Sequence, residues 1–252
     1  MRTQGLVLLM AASLFSAAAY DVDEILKNSA MENEQLFEGD ILSLGKNAMT
    51  ASWKRWPNGV VPYVIDATAE ADSKILRQAM EDYHENTCIR FVPRTNENDY
   101  IRIFKGQGCY SMVGRQGGQQ PVSIGRGCAY VGTIIHEYGH AIGFYHEHTR
   151  SDRDEHIDIF LQNVDPTYHS QFTKLRSWQN RLYNNFDYDS VMLYGSKSFS
   201  RVRGKPSMSK KNGEAIEEVY NRKGMSQSDI ERVNKLYGCS PKKNKSESKK
   251  MR

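Results

Sequence analysis

The stretch HEYGHAIGFYHEH, residues 136–148, holds four of the chain's seven histidines and constrains the fold more than any other feature. On a helix, His136 and His140 are four apart and share one face. Two neutral imidazoles there can aim at one cation, with zinc the usual choice. Glu137 falls one position along, beside such a cation. From there it can take a proton from a water that the metal activates as that water attacks a carbonyl. Gly143 follows His140 by three, where the helix must end if the chain is to turn back. Glycine accepts the left-handed conformation that such a cap needs. The turn can bring His146 to the same cation as a third ligand. Three protein ligands leave a position for water, which catalytic sites need and closed structural sites lack. His148 is expected to point elsewhere, and the isolated His84, His156 and His169 read as surface or satisfied histidines.

The chain of 252 residues is long enough for one ordinary domain with appendages. Arg2 precedes an apolar run from Leu6 to Phe15, and small residues follow at 16–19. This is the pattern of a secretory signal peptide, too short and wrongly flanked for a membrane span. Residues 1–19 are therefore expected to be removed and the protein to be secreted. In an oxidising compartment Cys88, Cys109, Cys128 and Cys239 are expected to form two disulfides, and the sequence leaves three connectivities open. No CxxC spacing points to thiolate metal binding or thiol chemistry.

Charge is unevenly spread. Residues 20–46 carry seven acids against two lysines, whereas the tail 241–252 carries six bases against one acid. The tail is expected to be disordered, either solubilising the protein or binding polyanions. Neither nucleic acid nor a membrane is an expected partner.

VVPYVI (60–65) reads as a strand after the turn WPNG. Ile75, Leu76, Ala79, Met80 and Tyr83 fit one face of a helix within 69–87. CIRFVP and YIRIFKG alternate as half-buried strands, and QPVSIGRG reads as a short edge strand. A helix is expected over about 131–142, and Ser226 can cap a last helix that buries Ile230, Val233, Leu236 and Tyr237. This order is α+β, without regular βαβ alternation.

The longer string HEYGHAIGFYHEHTRSDRD, residues 136–154, resembles the astacin metalloproteases of the metzincin group. It fits HExxHxxGFxHExxRxDRD at every fixed position. The resemblance extends over residues 47–239 and is closest to the short secreted astacins, including those of arachnid venom and digestive fluid. It implies a twisted, mostly parallel sheet with one antiparallel edge strand and two helices. A less regular C-terminal subdomain would follow, with the active-site cleft between the two. DYDSVMLYG (187–195) resembles the family's Met-turn, with Met192 as an apolar floor beneath the zinc. Tyr194 matches a tyrosine that reaches the metal at rest and swings away to stabilise the oxyanion. Leu193 departs from the pattern, since many astacins have histidine there.

The resemblance also pairs Cys88 with Cys239 and Cys109 with Cys128. Loop-entropy reasoning gives about 3 kcal/mol for the short loop and nearly ~5 kcal/mol for the long one. FEGD (37–40) resembles the propeptide motif whose aspartate occupies the water position, which makes Asp40 a latency switch. The resemblance places the mature N-terminus at Asn47, after Lys46, where a trypsin-like protease could cut. The new ammonium of Asn47 would meet Glu147.

The expectation is a signal peptide (1–19), a propeptide (20–46), a catalytic domain (47–240) and a basic tail (241–252). One zinc per chain would sit on His136, His140 and His146, with Glu137 and Tyr194 catalytic. The substrate would be an extended peptide or protein laid antiparallel on the edge strand near Pro121–Ile124. A monomeric secreted endopeptidase, with a toxin or digestive role, is the favoured function. The alternative is a secreted binding protein that keeps a decayed zinc site and uses its basic tail.

Overall fold

The computed structural model describes residues 23–24, 26–42, 52–202 and 204–240. The expected leader 1–19, the expected cleavage junction Lys46–Asn47 and the tail 241–252 lie outside them. Trp56 anchors the chain ahead of the first strand: it is buried, and its indole N–H donates to the Ala141 carbonyl at 2.8 Å. Strand β1 (Val60–Ile65) follows. It pairs in parallel with β2 (Arg90–Pro93) and β3 (Tyr100–Phe104). β3 pairs in parallel with β5 (Gln119–Ile124), and β4 (Cys109–Ser111) closes the sheet antiparallel to β5. The order β2-β1-β3-β5-β4 makes this a mostly parallel sheet with one antiparallel edge.

This order corrects one expectation. The segment around Pro121–Ile124 is an interior strand, and the edge on that side of the sheet is β4, Cys109–Ser111. Pro121 suggests an edge because proline cannot donate to a ladder. Here β4 covers only Val122–Ile124, so Pro121 is flanked on one side alone.

Helices α1 (Ser73–Asn86) and α2 (Val131–Ile142) pack together over the apolar sheet residues Val61, Ile101, Ile103, Val122 and Ile124. α1 buries Leu76, Ala79, Met80 and Tyr83, the i, i+3, i+4, i+7 stripe of an amphipathic helix. α2 is buried from Gly132 through Ile142, as befits a helix between the sheet and the C-terminal region. It ends at Gly143, whose φ of 123° lets its N–H reach the Gly139 and His140 carbonyls.

Beyond Glu147 the chain is mostly turns, with the small antiparallel pair β6 (Ile157–Ile159) and β7 (Met208–Lys210). The last helix, α3 (Gln227–Tyr237), starts in a reciprocal cap between Ser226 and Asp229 and ends at Gly238. Cys88 is bonded to Cys239, fastening the start of β2 to the chain beyond α3, and Cys109 is bonded to Cys128. No described helix is long and apolar enough to cross a membrane.

Candidate active site

One turn of α2 separates His136 from His140, and the reversal at Gly143 returns the chain so that His146 faces both. All three are buried. Each ring is held through Nδ1: His136 against the Val191 carbonyl, His140 against the Phe144 carbonyl and His146 against Glu38 Oε2, each at 2.7 Å. Carbonyl and carboxylate oxygens only accept, so each Nδ1 carries a proton and donates it. A neutral ring then leaves Nε2 as a bare lone pair. These converge, with His136 Nε2 3.0 Å from both His140 Nε2 and His146 Nε2.

A carboxylate joins them. Asp40 Oδ2 lies 3.0 Å from His136 Nε2, and Oδ1 lies 3.3 and 3.2 Å from the Nε2 atoms of His140 and His146. One donor atom from each of the four residues lies within 4.8 Å of the others. Converging lone pairs and a carboxylate repel one another unless a cation sits among them. Three imidazole nitrogens and a carboxylate oxygen are a donor set that zinc takes, and this set can hold one zinc ion.

Tyr194 is buried, and its hydroxyl donates to Asp40 Oδ2 at 2.6 Å. It also lies 3.1 and 3.2 Å from the Met31 and Glu38 carbonyls, so residues 31–40 engage it from several sides. The ring stacks on His136 at 5.8 Å between centroids, with 10° between planes. Met192 packs against α2 closely: a Cβ on Gly139 would stand 2.5 Å from its sulfur, so this position must stay small. Leu193, where the family pattern often has histidine, is fully buried.

Glu137 is fully buried beside the histidine cluster, and neither carboxylate oxygen has a hydrogen-bond partner among the described residues. Burial first, and then the charge of Asp40, push its carboxyl well above the ordinary glutamate range. His148 is outside the cluster, its Nε2 3.3 Å from the Gln171 carbonyl. His84 Nε2 accepts from the Phe91 N–H at 2.9 Å, His156 stacks on Phe186, and His169 Nε2 lies 3.1 Å from the Leu161 carbonyl.

Glu147 was expected to face Asn47, which lies outside the described residues. Within them its carboxylate accepts from both terminal nitrogens of Arg232 at 2.7 Å and from Arg150 at 2.9 Å. Its backbone N–H donates to the Met192 carbonyl, which ties the third histidine's neighbour to the segment bearing Met192 and Tyr194.

Ala30 and residues 40–42 hydrogen-bond to β4 at the edge of the sheet. Cys109 N–H donates to the Ala30 carbonyl at 2.7 Å, Ser111 N–H to the Asp40 carbonyl at 3.0 Å, and Leu42 N–H to the Ser111 carbonyl at 2.8 Å. Ile41 pairs with Ser111 in parallel, opposite to the direction expected of a substrate. Three participants were missed in the sequence: Glu38 on His146, Arg232 on Glu147, and β4 as the docking edge. Glu38 adopts a φ of 53°, and nothing in FEGD announces that conformation in a non-glycine residue.

A family model described as Astacin (Peptidase family M12A) matches residues 48–238. The chain is 40% identical to Astacin-like metalloprotease toxin 1 of Loxosceles intermedia, over 91% of this chain and 92% of the relative. It is 42% identical to zinc metalloproteinase nas-6 of Caenorhabditis elegans, over 83% of this chain but only 60% of that longer relative. Among solved structures, high choriolytic enzyme 1 of the medaka fish Oryzias latipes, a hatching enzyme zinc-protease, superposes with a TM-score of 0.70. It is 42% identical, and the match covers 77% of this chain and 100% of that one.

Proposed function

Because the chain belongs to the astacin family of zinc metalloproteinases, we propose that it is the uncut precursor of a secreted zinc endopeptidase, held latent by residues 20–46. The observation that carries this reading is the Asp40 carboxylate among His136, His140 and His146, with the Tyr194 hydroxyl donating to it. Zinc on the three histidines would polarise a substrate carbonyl and make water acidic enough to attack it near neutral pH.

The remaining roles fall to the chain's own groups. Asp40 supplies a fourth donor in the precursor and occupies Tyr194. The parallel run of residues 40–42 along β4 fills the edge where an extended substrate would pair. Withdrawal of this segment after cleavage at Lys46 would free the edge, the fourth donor position and the Tyr194 hydroxyl together. Glu137 then takes a proton from the attacking water and returns it to the leaving amine. Tyr194 donates to the developing oxyanion. The backbone and carboxylate partners on each Nδ1 fix the tautomer and the ring orientation, so that Nε2 is the atom each histidine offers.

Secretion, activation by a trypsin-like protease and a new Asn47 ammonium beside Glu147 complete this reading. The basic tail offers polyanions a contact. The relative named as a toxin supports a toxin role, with peptides and proteins as substrates. The rival reading, a binding protein with a decayed site, is disfavoured by the presence of both Glu137 and Tyr194.

Casein cleavage by the full chain, before and after limited trypsin treatment, tests the proposal. Activity should appear on cutting and vanish with a chelator, and Asp40→Ala should be active uncut. Glu137→Ala should keep zinc yet lose at least ~100-fold in turnover. An uncut wild-type chain as active as the cut one would remove the latency role. Near-normal turnover in zinc-loaded Glu137→Ala would remove the general base.

A further inference from the structure

Lys27 lies in a short helical stretch, residues 26–29, that leads into the segment on the sheet edge. Its ammonium stands 5.0 Å from the ring centroid of Tyr130 and 5.6 Å from that of Tyr220. The two rings are 5.9 Å apart and inclined at 54°, so they form an open wedge with the cation at its mouth. An ammonium over two electron-rich ring faces is a cation–π arrangement.

Both tyrosines belong to the catalytic region and are fixed by it. Tyr130 is the residue before α2, two positions from the Cys128 disulfide. Tyr220 sits in the turn Val219–Asn221, which packs so closely on α2 that a Cβ on Gly132 would stand 2.2 Å from the Val219 carbonyl oxygen. The acid that accompanies Lys27 is Asp23, at 2.6 Å, from its own segment. The neighbouring Glu24 pairs with Lys197. Both acids would leave with the segment, whereas the tyrosine wedge would stay.

The wedge also has a defined place relative to the histidines. Three residues after Lys27, the Ala30 carbonyl accepts from Cys109, and the Met31 carbonyl lies at the Tyr194 hydroxyl. Lys27 is thus one helical turn from the Tyr194 side of the site, beyond the Cys109 end of β4. A strand laid antiparallel to β4 would have its N-terminal part at Ser111 and its C-terminal part at Cys109. The wedge therefore lies on the C-terminal side of the scissile bond.

We propose that Tyr130 and Tyr220 form a substrate subsite for the cationic side chain of lysine or arginine on the C-terminal side of the scissile bond, which Lys27 fills in the precursor. This rests on the endopeptidase reading above and adds a substrate class to it. Lys27 is then a substrate mimic as well as an anchor.

The test uses the full chain after activation by a trypsin-like protease. Paired fluorogenic peptides carry either lysine or acetyl-lysine at each of the first few positions after the scissile bond. Acetylation removes the charge and keeps the aliphatic stem. At one of these positions lysine should raise kcat/KM by about 3- to 10-fold over acetyl-lysine, mainly through KM. The ratio of the two peptides, measured within each variant, should fall to about one in Tyr220→Leu and be retained in Tyr220→Phe. The same within-variant comparison with Tyr130→Leu guards against a folding defect at either position. Equal cleavage of both peptides at every position by wild type would overturn the subsite and leave the peptidase reading standing. Failure to cleave either peptide would overturn both.

Discussion

From Trp56 to Ile142 the buried side chains are mainly apolar: Val61, Leu76, Ile101, Ile103, Val122, Ile134 and Ile135 are all fully buried. From Glu147 to Tyr237 the buried set includes Glu147, Arg150, Arg153, Ser190, Arg222, Asp229 and Arg232. These polar groups are bound to one another and to backbone. Asp229 accepts from Ser190 Oγ at 2.6 Å and from Val191 N–H at 2.8 Å, which fixes the start of the segment bearing Met192 and Tyr194. The first region is stabilised by apolar area, which tolerates small changes of shape. The second depends on matched partners, where removal of one leaves another buried and unpaired. The histidine site straddles the two: His136 and His140 come from the regular region, and His146 stands at the border.

The largest effect is therefore expected at Glu147. Glu147→Ala leaves Arg150 and Arg232 facing each other without their shared carboxylate, and should cost roughly 3–5 kcal/mol. Chemical denaturation of the full chain measures it, and a loss below about 1 kcal/mol would erase the contrast between the regions. Next comes the apolar control. Ile103→Val removes one buried methyl from the centre of the sheet and should cost about 0.5–1.5 kcal/mol. A cost equal to that of Glu147→Ala would reverse the comparison.

The smallest effect concerns how residues 26–42 dock on the polar region. Glu32 accepts from the Phe199 N–H at 2.8 Å, and Glu218 accepts from the Lys197 N–H at 2.8 Å two residues earlier. Burial, assisted by the charge of Glu218, pushes the Glu32 carboxyl up to about 7 from its usual 4.5. A carboxyl raised in this way favours the docked state when protonated. Its contribution is fully present below pH 4.5 and fades as pH rises through about 7. Trypsin should therefore release the segment more slowly near pH 5 than near pH 8 after correction for trypsin's own pH profile. Glu32→Gln should flatten that dependence, and an unchanged slope in the variant would assign the effect to other groups.

Features whose causes lie within a few residues of one another were legible in the amino-acid order. The HExxH spacing, helical periodicity and Gly143 defined α2 and the return to His146, and Ser226 with Asp229 defined the start of α3. Which strand lies at the sheet edge beside β5 followed from long-range pairing alone. β4 has three residues and no pattern of its own, and its role follows from pairing with β5. The partner of Glu147 was equally hidden, because Arg232 lies 85 residues away and only packing brings its guanidinium to that carboxylate. The same holds for Glu38 on His146 and Lys27 at the mouth of the Tyr130–Tyr220 pair. Periodicity and turn chemistry are written locally, whereas the pairing of distant polar groups is fixed only when the surrounding surfaces meet.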